Sequence, residues 1–124
     1  MIDTSSNTLP SVQHIARAQN YGDLEPLGAV PRAISDPPPQ VGALRRAIPN
    51  KGESRAGIWE STAGAFKRTI EMAEVIHVLC GEATFVPEVG PEIRVCEGDT
   101  VIFAENTKGI WHVHSTFRKH YVLL

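Results

Sequence analysis

From residue 41 onward, short apolar-rich runs alternate with turn signals at close, regular spacing, and that rhythm leaves little room for any architecture but a β-sandwich or barrel. The runs are 41–48, 57–62, 65–70, 74–80, 83–89, 92–96, 100–104, 110–115 and 120–124. Between them lie Ala63-Gly64, Gly81-Glu82, Gly90-Pro91, Glu97-Gly98-Asp99 and the segment 105–109. Stretches such as Val75-Ile76-His77-Val78-Leu79 are apolar at both parities. A strand of that kind needs cover on both faces.

Composition changes near residue 40. Six of the nine prolines precede it and seven of the eight aromatics follow it, so the first part supplies little core. Its prolines argue against regular strand pairing. Only residues 11–20 read as structured there. Val12, Ile15, Ala16 and Gln19 share one helical face, Ser11 is a candidate cap and Gly22 a stop. The expected organisation is a proline-rich N-terminal arm with one short helix over residues 1–41, then a β-barrel over 42–124.

A formal charge of -2, with Lys and Arg scattered or in isolated pairs, gives no footprint for nucleic acid. No apolar stretch has the length to span a bilayer, and Met1 to Ser6 lacks the pattern of a signal peptide. A cytoplasmic location is the expectation. In that reducing compartment Cys80 and Cys96 read as two small buried thiols.

Specific motifs narrow the barrel. Gly98-Asp99-Thr100-Val101-Ile102-Phe103, a turn over 105–109, then Ile110-Trp111-His112-Val113 resembles the second cupin motif. It resembles most the branch with ureidoglycine aminohydrolase-like and ethanolamine-utilisation-like cupins. The segment Gly57 to Gly64 is similar to that branch's opening segment, and Glu74 with Gly81 to the acid and closing glycine of the first cupin motif. Arg118 to Val122 is similar to the terminal strand. The resemblance implies an all-β fold: a single double-stranded β-helix, or jelly-roll barrel, with an extended arm. Gly98 suits a turn that needs positive φ, and Asn106, where the family usually has Gly, tolerates the left-handed region best among non-glycine residues.

Metal-binding cupins take two histidines and a glutamate from the first motif and a histidine from the second. Counting from Glu74 places the first two positions at Lys67 and Thr69, or in the other register at Arg68 and Ile70, and the last at Gly109. Glu74 alone matches, so no metal and no other cofactor is expected. His112 and His114 have a metal-like spacing on one strand face, but Trp111 and Val113 form the apolar set, which points the histidines outward. A ligand set built on those two histidines is the open alternative.

Glu74 shares parity with Ile76 and Val78 and so points inward, where a carboxylate needs a partner or a wet mouth. Lys67 is the candidate partner in the first register. Glu74 is the candidate general acid or base, and Trp59, Lys67, Glu74 and Trp111 are the candidate residues for binding a small molecule. Each Trp could equally be plain core, and Glu74 a structural ion pair.

Three functions follow from these residues. One is a metal-free cupin that binds a small polar molecule. Another is a metal-dependent enzyme resembling the aminohydrolase branch with rearranged ligands. The third is a dimeric interaction module with a filled barrel. Cupins that this chain resembles commonly form two-fold dimers. A homodimer is therefore expected, with Leu24, Leu27 and Val30 of the arm lying against the partner's barrel.

Overall fold

The computed structural model describes residues 9–124. Ten strands follow one another: β1 (Glu25–Ala29), β2 (Gln40–Ala47), β3 (Arg55–Ser61), β4 (Gly64–Ile70), β5 (Glu74–Cys80), β6 (Glu82–Pro87), β7 (Ile93–Cys96), β8 (Thr100–Phe103), β9 (Thr107–Val113) and β10 (Phe117–Leu123). They form two antiparallel sheets, one in the order β1-β2-β3-β10-β5-β8 and the other β4-β9-β6-β7. This is the expected all-β jelly roll, and β2 to β10 coincide with the nine apolar runs to within three residues at every end. Gly98 and Asn106 both take positive φ, 93° and 61°, as their turns require. The second turn is tighter than the sequence suggested, because β9 already begins at Thr107 and Gly109 lies inside the strand.

The core fills the space between the sheets from alternating positions. Ile76 and Val78 come from β5, Phe85 from β6, and Trp111 and Val113 from β9, all buried. Full burial of side chains this size contributes about 1.5–3 kcal/mol each. Phe85, Phe103 and Trp111 meet at centroid distances of 5.0–6.0 Å in tilted or edge-on pairs. Such geometry suits the ring quadrupoles.

The arm departs from expectation in three ways. First, no helix forms over 11–20. A single 3₁₀ turn, Ala18–Asn20, is all that appears, and Val12 is 79% exposed. Ten residues with a thin apolar face cannot offset helix nucleation, and Arg17 in the left-handed region interrupts any helical run. Second, residues 25–29 pair with β2 despite Pro26. They occupy the sheet edge, where a missing N–H is tolerated, and the register slips between Pro26 and Gly28.

Third, the arm packs on its own barrel. Val30 joins the chain's own core, Leu24 is half-buried and Leu27 remains exposed. Beyond Val30 the arm crosses to the second sheet. Lys67 N–H donates to the Arg32 carbonyl at 3.0 Å, Ile34 N–H to the Ala65 carbonyl at 2.8 Å, and Ala33 bridges Phe66. The cysteines also differ from expectation. Cys80 is only half-buried and Cys96, at the end of the outer strand β7, is exposed. Asp99 beside it pushes the Cys96 thiol upward.

Candidate functional site

One end of the barrel opens into a cavity of about 690 Å³. Strand pairing brings its polar floor together. Glu74 opens β5, flanked by Phe103 on β8 and Leu123 on β10. On β10, Phe117, Lys119, Tyr121 and Leu123 share the inward parity, so Lys119 enters the barrel opposite Trp59 of β3. On β4 the inward set is Phe66, Arg68 and Ile70.

Glu74 is 2% exposed and Lys119 5%. Lys119 Nζ donates to Glu74 Oε2 at 3.0 Å. The same ammonium lies 5.0 Å from the Trp59 ring centroid and 5.7 Å from that of Trp111. The two indoles therefore wall in the cation and replace part of its lost hydration. Burial pulls Lys119 below its ordinary value, with Glu74 opposing that shift and Arg68 adding to it. Tyr121, on the cavity wall, is raised by burial, while Arg45 and Arg55 draw it back.

The other carboxylate oxygen stands apart. Glu74 Oε1 lies 3.6 Å from the nearest Arg68 guanidinium nitrogen, too far for a hydrogen bond, and is the one buried side-chain polar atom without a partner among the described residues. A buried acceptor left unpaired is costly, by about 1–3 kcal/mol or more for a charged group. Such an atom in a cavity wall is a place where a donor is wanted.

All four residues expected to bind a small molecule, Trp59, Lys67, Glu74 and Trp111, line this cavity. The expected Glu74–Lys67 pair is corrected. Lys67 has the outward parity of β4 and reaches only the mouth, so its neighbour Arg68 approaches the carboxylate instead. Lys119 was missed altogether. Its signal was present in the alternation Phe117, Lys119, Tyr121, Leu123, which places one lysine in an otherwise apolar inward row.

The metal positions do not fit a metal. The observed parity selects Arg68 and Ile70 as the first two, a cation and a hydrocarbon. At Gly109 a Cβ would come 2.5 Å from the Phe85 ring and 2.6 Å from the Val86 carbonyl, so that ring fills the space a histidine would need. Glu74 itself faces an ammonium and a guanidinium. His112 and His114 are exposed on the outer face, and His114 Nε2 bonds Thr84 Oγ1 at 2.8 Å. No group of three or more His, Cys, Asp or Glu able to hold a metal occurs among the described residues.

A second ion pair, part-buried, lies on the opposite face of β10. Arg118 Nε donates to Glu60 Oε2 at 2.8 Å, and its terminal nitrogen donates to the carbonyls of Ala18, Gln19 and Tyr21 at 2.9–3.2 Å. The β10–β5 register shifts between Arg118 and Lys119, leaving Leu79 without a partner in that ladder. Its carbonyl accepts from Gln19 Nε2 at 3.0 Å. The first part of the arm is thus stapled across the outer face of the six-stranded sheet.

No curated protein matches the chain. Among solved structures, a DUF861-family protein of unknown function from Pseudomonas syringae pv. tomato is similar at 25% identity. Its TM-score is 0.72, and the match covers 83% of this chain but only 45% of that one. A DUF861-family protein from Thermotoga maritima is 30% identical with a TM-score of 0.53, over 54% of this chain and 76% of that one. The putative ethanolamine utilization protein Q of Salmonella typhimurium has a TM-score of 0.61 at 21% identity, over 77% and 76%, and shows the fold alone. The EutQ-like cupin domain family matches residues 49–121, more than half of the sequence. The chain belongs to the EutQ-like cupin family.

Proposed function

We propose that this barrel binds a small polar molecule directly on its side chains, without a bound metal, and that any chemistry it performs rests on Glu74 and Lys119. The observation that carries the reading is Glu74 Oε1, a buried acceptor with no hydrogen bond in the wall of an open cavity. A hydroxyl or amine of the ligand supplies the missing donor, while Lys119 holds the other oxygen and fixes the carboxylate's orientation. Trp59 and Trp111 give the apolar walls. A cavity of about 690 Å³ weighs against a barrel filled for purely structural ends.

The proposal includes a homodimer in the cytoplasm. Cross-strand pairing aligns Ile102, Val75, Val122 and Ala56 in one apolar row across the outer face of the six-stranded sheet, with Ile102 79% exposed. A second copy is the natural cover for such a row. Two unpaired cysteines suit a reducing compartment.

The test uses protein purified without a metal-affinity tag. Elemental analysis is expected to give well under one equivalent of first-row metal. A panel of small polar molecules is expected to raise the melting temperature of the native chain but not of Glu74→Gln. Stoichiometric metal held through Glu74, or a panel that leaves the melting point unmoved, contradicts the reading.

A further inference from the structure

The charge of the cavity says more about its ligand than the floor alone. Six of the chain's twelve Lys and Arg residues line it: Arg32, Arg45, Arg55, Lys67, Arg68 and Lys119. Only two of the fourteen Asp and Glu residues do, Glu71 and Glu74. A chain of net charge -2 therefore concentrates four net positive charges around one opening. Low-dielectric walls focus such a field and draw anions inward.

The cations are not spent on one another's partners. Lys119 is the only one of the six that donates to a cavity carboxylate within hydrogen-bond distance. Arg68 and Arg55 each use one terminal nitrogen on a nearby main-chain carbonyl, and Arg32 uses one on Thr69 Oγ1. Each keeps further donors for a planar or tetrahedral oxyanion. The arm supplies Arg32, β2 supplies Arg45, β3 supplies Arg55 and the edge strand β4 supplies Lys67 and Arg68, so the basic groups come to the cavity from several sides. The unpartnered Glu74 Oε1 lies at the floor. The ligand is thus asked for two opposite things, an anion for the cations and a donor for Glu74.

We propose that the ligand is a small organic oxyanion that also carries hydroxyl or amino donors. Its carboxylate or phosphoryl group meets the arginines, and a neutral or cationic donor reaches Glu74. This rests on the reading of the cavity as a binding site and gives it a substrate class. Carboxylate and phosphoryl ligands share the chemistry, and the experiment separates them.

Both of the chain's tryptophans line the cavity, so intrinsic fluorescence reports occupancy without a label. Gluconate, glucose 6-phosphate, hexanoate and sorbitol are titrated into the full-length native protein, with calorimetry alongside. Gluconate or glucose 6-phosphate is expected to saturate the signal at millimolar concentration or below. Sorbitol, which lacks the anion, and hexanoate, which lacks the donors, are expected to bind at least tenfold more weakly. Whichever of the two hydroxylated anions binds more tightly assigns the oxyanion.

Arg45→Gln, at an exposed position that does not threaten the fold, is expected to weaken both anions severalfold and leave sorbitol unchanged. Glu74→Gln is expected to narrow the gap between gluconate and hexanoate. Sorbitol binding as tightly as the anions overturns the oxyanion class while leaving a polar-ligand site intact. Hexanoate binding as tightly as gluconate overturns the donor requirement at Glu74. Failure of both hydroxylated anions, when neutral molecules from the wider panel still stabilise the protein, overturns the inference and spares the site.

Discussion

Arg118 and Lys119 are neighbours on one strand, each buried and each paired with a glutamate, yet their surroundings differ in kind. Arg118 faces the arm and is held at several points, its Nε donating to a carboxylate and one terminal nitrogen to three carbonyls of the arm. Lys119 faces the cavity and makes a single hydrogen bond, to a carboxylate whose second oxygen has none. Several contacts to one segment of the arm are what a structural staple requires. Incomplete satisfaction on the inner face has no structural use, because a well-packed apolar pair would hold the barrel at least as well. On the function proposed above, the difference separates a pair kept for the fold from a pair kept for a ligand, although their sequence context is nearly the same.

Three measurements sharpen that contrast. The largest effect is expected at the inner pair. Lys119→Met leaves Glu74 buried beside only Arg68, and urea unfolding is expected to show a loss of about 3–5 kcal/mol. A loss under about 1 kcal/mol would mean that the carboxylate finds water or another cation readily, and that the pair is not a closed unit.

The outer staple comes next. Arg118→Ala frees the carbonyls of the 3₁₀ turn and leaves Glu60, which is part-exposed and can rehydrate, so a loss of about 2–3 kcal/mol is expected. Deleting residues 1–21 removes the same contacts. The two changes combined are expected to cost little more than the larger alone. Ligand response is expected to survive both. Full additivity of the two losses would show that Arg118 holds something other than the arm.

The smallest effect is a pH dependence beneath the same stretch of arm. His120 lies opposite His77 on the neighbouring strand, and burial first, then His77, pulls it below its ordinary 6.5. A base depressed in the folded state contributes stability that is present above 6.5 and lost as pH falls through the lower folded value. The urea midpoint is therefore expected to fall on acidification below 6.5, and to fall less in His120→Asn. An equal fall in both proteins would remove His120 as its source.

The strands were legible because alternation and turn residues speak locally, and β2 to β10 appear where the apolar runs are. What stayed hidden depends on context that a local pattern does not carry. Residues 25–29 contain Pro26 and Gly28 and read as non-strand, yet an edge position next to β2 tolerates both. Residues 11–20 show a helical period, but their hydrogen-bonding needs are met from outside, by Arg118 and by Gln13 and Gln19 reaching the barrel's carbonyls. In the site, Glu74, Trp59 and Trp111 were found from parity and resemblance. Arg68 over Lys67 needed the inward neighbours Phe66 and Ile70 to be weighed. Lys119 lay in a basic pair that looks solvated until the row from Phe117 to Leu123 is read by alternate residues.

The most direct test of the central claim replaces both members of the inner pair at once. The double variant Glu74→Leu/Lys119→Met removes the buried charges together, so its unfolding free energy is expected to lie within about 1 kcal/mol of the parent, unlike Lys119→Met alone. In the same preparation, tryptophan fluorescence is expected to show no saturable response to any molecule that the parent binds. A double variant as destabilised as the single one, or one that still binds the parent's ligand with unchanged affinity, would contradict the account and make the pair a structural element like its neighbour Arg118.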